Sequence, residues 1–136
     1  MLAWFIAQLL KVILTIFSMK KLDLTRFVGS GGMPSSHSAL VVSLATSIGY
    51  QEGFSSPIFA MSVAVALVVM YDAAGVRRAA SKQAKVLNEI IAELQAHREV
   101  TEEKLKELLG HTPVEVIVGA ILGILISSIF SRIAVP

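Results

Sequence analysis

No cysteine occurs in this chain, which excludes disulfides, thiolate metal sites and cysteine nucleophiles. Charge is scarce as well: Asp, Glu, Lys and Arg make up 16% of residues, against roughly 25% in soluble domains. A net charge of +2 is too small a cationic excess to imply nucleic acid, so no nucleic-acid partner is expected. Apolar residues fill the space instead. They reach 54%, with a mean hydropathy of +0.72, and this points to an integral membrane protein whose first partner is the lipid bilayer. The length of 136 residues suits one domain. Met1 to Phe17 is apolar but lacks a basic start and a small-residue cleavage site, so no cleavable signal peptide is expected.

Four apolar segments follow one another: Leu2 to Phe17, interrupted by Gln8 and Lys11; Ser38 to Tyr50, rich in small residues; Pro57 to Ala74, meeting Asp72 near its end; and Val114 to Ile133. A spanning helix needs about 20 apolar residues. The third and fourth segments qualify, the first is marginal, and the second is short enough to be either a span or a half-buried, re-entrant helix with its polar start in a protein-lined cavity. Gly119 and Gly123 in the fourth segment form a small-xxx-small pair, which suits close helix packing and would also serve a homodimer. Between the third and fourth segments, Val86, Leu87, Ile90, Ile91 and Leu94 recur at helical spacing opposite Lys82, Lys85, Glu89 and Glu93, the pattern of an interfacial amphipathic helix. That stripe reads as packing rather than a substrate tunnel. A second short helix is expected over Glu102 to Leu109, capped by Thr101 and ended by Gly110. The expected fold is therefore all-α: an integral membrane helical bundle of about four spans, with an amphipathic helical insert at about 79–110, in a single membrane-embedded domain covering 1–136.

Threading four spans places residues 18–36 and 75–112 on one face, with both termini outside on the other. The first face collects ten of the twelve basic residues, leaving only Lys11 and Arg132 elsewhere. By the positive-inside rule that face is cytoplasmic, in a multi-pass protein of the cell (inner) membrane. The same threading gathers chemistry there. Lys20, Lys21 and Arg26 come from the first junction, and Ser35, Ser36 and His37 from the second. Asp72, Arg77 and Arg78 come from the third, and His111 and Glu115 from the fourth. Cations and N–H donors around an anion, with two imidazoles and a carboxylate four residues after one of them, fit phosphoryl transfer: one imidazole can attack while the other protonates the leaving oxygen. Glu115, one helical turn after His111, can hold that ring's Nδ1–H. Gly31 and Gly32 before Ser35 can help form an anion-binding concavity. Asp72 reads as either a helix-end residue or, preferably, a partner for Arg77. Lys11 reads equally as a functional intramembrane charge or as a lysine snorkelling to the interface. Arg78 can meet phosphate or anionic lipid, Lys82 reads as lipid-facing, and His97 as structural.

Pro34-Ser35-Ser36-His37 resembles the Pro-Ser-Gly-His motif of the type 2 phosphatidic acid phosphatase and vanadium haloperoxidase superfamily. His111-x-Pro113-x-Glu115 followed by Gly119 and Gly123 resembles its last motif, where Asp follows the histidine by four. Gly31-Gly32-Met33-Pro34-Ser35-Ser36-His37-Ser38, Tyr71-Asp72-Ala73-Ala74-Gly75-Val76-Arg77 and Leu109-Gly110-His111-Thr112-Pro113 are similar to its divergent, bacterial and plastid-type branch. The resemblance covers nearly the whole chain and implies the last four helices of a six-helix core. It implies His111 as nucleophile forming a phosphohistidine, Glu115 as its orienter, His37 as the acid, and Arg77, Ser35 and Ser36 as phosphate ligands, with no metal or other cofactor. Three departures stand out. Arg77 lies thirty-four residues before His111 instead of six, Glu115 replaces Asp, and the first motif, Lys-x6-Arg-Pro, is absent. Its nearest echo is Lys20-x5-Arg26, with Lys21 beside it and Lys11 competing for the role. The implied activity is hydrolysis of a phosphomonoester on a membrane lipid, with phosphatidylglycerophosphate favoured over phosphatidic acid or a polyprenyl diphosphate. The competing expectation is a non-catalytic membrane protein that keeps the phosphate-binding fold.

Overall fold

The structure, a computed structural model, describes residues 1–19, 32–95 and 110–134. These residues form five helices: α1 (Leu2–Met19), α2 (Ser36–Glu52), α3 (Pro57–Ala74), α4 (Val76–Gln95) and α5 (Pro113–Ala134). There is no strand among them, as the all-α expectation required. Local chemistry sets the boundaries. Ser35 caps α2, its Oγ accepting from the Ser38 N–H at 3.4 Å, and α2 stops at Gly53, whose φ of 88° favours glycine. Ser56 caps α3 in the same way, with Pro57 at the first helical position.

The amphipathic segment differs from expectation. It begins at Val76 rather than near 79 and extends α3 almost without a break, because the Gly75 N–H donates to Tyr71 O at 2.8 Å and the Ala79 N–H to Gly75 O at 2.9 Å. A single glycine costs a helix only about 1 kcal/mol, so nothing at this point forces the chain to turn. α4 meets α3 across the Gly75 junction and contacts no other described helix. Val86, Leu87, Ile90 and Leu94 are exposed, so the stripe expected to pack meets no partner among the described residues. Lys85 and Glu89 face each other at 3.9 Å on the exposed side. His97 and the short helix expected over Glu102 to Leu109 lie outside the described residues.

The bundle is small-residue inside and large-residue outside. Its buried apolar residues are alanines apart from Val116, whereas Leu67, Val68, Ile117 and Leu125 are all more than half exposed. Water does not tolerate such a surface, but hydrocarbon does. Two stretches, Pro57–Ala92 and Pro113–Arg132, are long and apolar enough to cross a membrane, and Leu2–Phe17 forms a shorter apolar helix. The protein is a membrane protein whose large side chains face lipid.

α2, the least apolar helix apart from α4, occupies the centre, packed against α1, α3 and α5. Its 17 residues span about 25 Å at the α-helical rise. Its contact with α5 is made close by Gly119 and Gly123: a Cβ at Gly119 would overlap the Ser35 carbonyl, and one at Gly123 would lie 2.6 Å from Ala39 O. Farther along, Ser127 Oγ donates to Ser43 O at 3.1 Å and lies 2.7 Å from Ser47 Oγ. Such hydrogen bonds between helices substitute for the hydrophobic drive that lipid does not supply. The glycine pair that would have served a homodimer is thus engaged within the chain. A second copy would need another surface.

Candidate functional site at one end of the bundle

Three chain junctions are tied together by their backbones. The Ser35 N–H donates to Glu115 O at 3.0 Å, and the His111 N–H donates to Ala73 O at 3.0 Å. Gly110 lies so close to the backbone of Arg77 and Arg78 that a Cβ there would overlap it. The start of α2, the end of α3 and the start of α5 therefore meet, as the threading of spans requires.

On this frame His111 is buried, with 1% exposure. Its Nδ1 lies 3.1 Å from Glu115 Oε2, which also accepts from the Thr112 N–H at 3.0 Å, while the Glu115 N–H donates to Thr112 Oγ1 at 3.3 Å. Thr112 and Glu115 thus form a reciprocal capping box at the start of α5. That box explains the glutamate where Asp is usual: the longer side chain can reach back to the cap while still holding the imidazole. A carboxylate only accepts, so His111 carries its proton on Nδ1 and presents a bare Nε2. That Nε2 is buried and meets no hydrogen-bond partner among the described residues. Burial lowers the His111 pKa from its ordinary 6.5; the hydrogen bond and charge of Glu115 oppose this, and the cations Lys11 and Arg77 add to it.

The His37 ring centroid lies 6.1 Å from that of His111, the rings near edge-on at 61°. Lys11 is 2% exposed and packs beside Gly32, where a Cβ would sit 3.5 Å from Lys11 Cγ. Gly32 itself has a φ of 85°. The Lys11 side chain is enclosed beside Gly32 rather than extended to the surface. Arg77 Nε donates to Asp72 Oδ2 at 2.7 Å, which is the pairing preferred from sequence. Ser35 and Ser36 are buried. The Ser35 N–H is engaged by Glu115 O, and its Oγ accepts from both the N–H and the hydroxyl of Ser38. Arg78 is exposed. Lys20, Lys21, Arg26 and Gly31 lie outside the described residues, and so do most of the basic residues behind the topology reading.

Thr112 and the acceptor Ala73 O were not anticipated. Thr112 was legible in Thr112-x-x-Glu115, a capping-box signature; the Ala73 carbonyl carries no sequence signal at all. Among the described residues no group of three or more His, Asp or Glu is placed to hold a metal.

The sequence matches the family described as the Divergent PAP2 family over residues 1–126. It is similar to the Bacillus subtilis (strain 168) protein named "Uncharacterized membrane protein YuiD", with 39% identity over 136 residues, covering 92% of this chain and 86% of that one. No solved structure matches it.

Proposed function

Since this chain belongs to the divergent PAP2 family, we propose that it is a membrane-embedded phosphatase that hydrolyses a phosphomonoester on a lipid through a phosphohistidine, without a metal. The observation that carries this reading is the buried Nε2 of His111, on a ring held by Glu115 from the opposite side and with no hydrogen-bond partner among the described residues. In the first step Nε2 attacks phosphorus and the ester oxygen departs with a proton from His37. In the second, His37 takes a proton from water, whose oxygen displaces His111 and yields inorganic phosphate. Arg77, Arg78, Lys11 and Ser36 supply cations and donors for the phosphoryl oxygens, joined in this scheme by Lys20 and Lys21. The Ser35 hydroxyl proton adds a further donor.

In this reading the chain crosses the cell membrane four times, and the bias of its basic residues puts the site at the cytoplasmic face with both termini outside. Lipids made on the inner leaflet then reach it with their tails still in the bilayer, and phosphatidylglycerophosphate is the substrate we favour. The test is phosphate release by purified protein in the presence of a chelator, across phosphatidylglycerophosphate, phosphatidic acid and a polyprenyl diphosphate. The expected result is release, fastest from the first and blocked by vanadate. No release from any of them would mean a phosphate-binding protein without catalysis.

The His111 pKa sets the pH response. The neutral ring attacks, so the acid limb of kcat/KM should lie below the ordinary histidine value of 6.5. The substrate phosphate itself titrates near pH 6. Glu115→Gln separates the two: Glu115 raises the His111 pKa, so its removal should move the acid limb of the residual activity to still lower pH. An unmoved limb would assign the titration to the substrate.

A further inference from the structure

α3 and α5 flank α2 on adjoining sides but touch one another only sparingly. The gap between them is an apolar cleft of about 370 Å³, within the range of small-ligand sites. Val42 and Ala45 floor it, Ala66 and Met70 line one wall, and Ile124 lines the other. It runs along the bundle rather than into it, about 12 Å from Val42 to Tyr50 at the helical rise. One end lies close to the phosphate site: Met70 is three residues from Ala73, whose carbonyl holds the His111 backbone, and Val42 is five residues from His37. The other end is closed by aromatic rings packed edge to face, Tyr50 against Phe54 at 5.4 Å and Phe54 against Phe59 at 5.2 Å between centroids. Gly49 admits them, since a Cβ there would come 2.5 Å from Phe54 Cε1. The rims, Leu67 and Ile124, belong to the lipid-facing surface.

We infer that this cleft seats one acyl chain of the lipid phosphomonoester, and that the aromatic closure limits how long a chain fits. The inference rests on the lipid phosphatase reading for its headgroup. Three properties select an acyl chain over other occupants: the lining is apolar, the shape is a channel parallel to the helices, and the near end meets the site that would hold a phosphate. Val63 lies midway along the α3 wall, four residues from Phe59 and seven from Met70.

Val63→Trp should fill the middle of the cleft and Phe59→Ala should open its end. Phosphate release from a dihexanoyl lipid phosphate should stay within about twofold of wild type in both. Release from the dipalmitoyl lipid should fall at least tenfold in kcat/KM for Val63→Trp, the loss expected when about two methylenes are no longer buried. Phe59→Ala should shift preference toward longer chains. A second arm reads binding without turnover. Full-length protein in phosphatidylcholine nanodiscs receives a trace of phosphatidic acid with a diazirine at its chain end. Labelling should concentrate on Val42 to Tyr50 and Val63 to Met70, and fall about tenfold in Val63→Trp. Labelling that matches a phosphatidylcholine probe, or that ignores Val63→Trp, would overturn the inference while leaving catalysis standing. Focused labelling without phosphate release from any lipid would leave the cleft standing and remove the catalysis.

Discussion

Replacing His111 by alanine is expected to abolish phosphate release, by roughly 10⁴-fold or more, the range seen when a covalent nucleophile is removed from a hydrolase. The atom lost is Nε2, the nitrogen that Glu115 leaves bare. His37→Ala should cost less, about 10² to 10⁴-fold, as befits a lost general acid. The two losses are distinguishable by the leaving group. With p-nitrophenyl phosphate, whose leaving oxygen needs no proton, His37→Ala should recover a first-turnover burst of p-nitrophenol, with breakdown of the phosphohistidine, for which His37 is the base, staying slow, whereas His111→Ala should stay inactive. A radiolabelled phosphoryl group should remain on wild-type protein after rapid quenching and be absent from His111→Ala. Equal recovery in both variants would sink the division of roles.

The second large effect is expected at a residue that carries no chemistry. Gly119 stands where any Cβ would overlap the carbonyl of Ser35, and that carbonyl accepts the Ala39 N–H at 3.0 Å in the first turn of α2. A backbone oxygen fixed in a helix cannot rotate aside, so the two helices must part. Overpacking of this kind costs about 1–3 kcal/mol, and a 1 Å displacement of reacting groups costs up to about 100-fold in rate. Gly119→Ala should therefore keep its helical circular dichroism yet lose about two orders of magnitude in turnover, because α2 carries His37 and α5 starts beside His111. Gly119→Leu should fail to give a monodisperse detergent-solubilised protein. Leu125→Ala, on the lipid face of the same helix, is the control and should leave both measurements nearly unchanged. Full activity in Gly119→Ala would show that the helices are not in this contact.

The apolar segments were legible because hydropathy acts locally. The third segment, Pro57 to Ala74, coincides with α3, and the fourth, Val114 to Ile133, falls within one residue of α5 at each end. The spacing of His111 and Glu115 was legible for the same reason: four residues are one turn, whatever surrounds the helix. The short second segment was harder. Its serines and glycine lower its hydropathy because α2 faces protein on three sides, and that position depends on residues far from it in sequence.

The sequence by itself determined which residues could do chemistry and the end of the bundle at which they collect, since the periodicity of helices and the length of apolar runs are properties of neighbouring residues. Only the tertiary structure decided what each of them meets. Lys11 in an apolar helix looks the same on paper whether it snorkels or is enclosed, and it was the packing of α1 beside Gly32 that enclosed it. Gly119 and Gly123 look the same whether they meet a second copy or α2, and the backbone of α2 was what filled them. The His111 backbone is held by Ala73 O, an atom every residue possesses, so no side chain could have announced it. The physical reason is common to all three: a close contact is a relation between surfaces brought together by folding, and a single stretch of sequence describes only one of them.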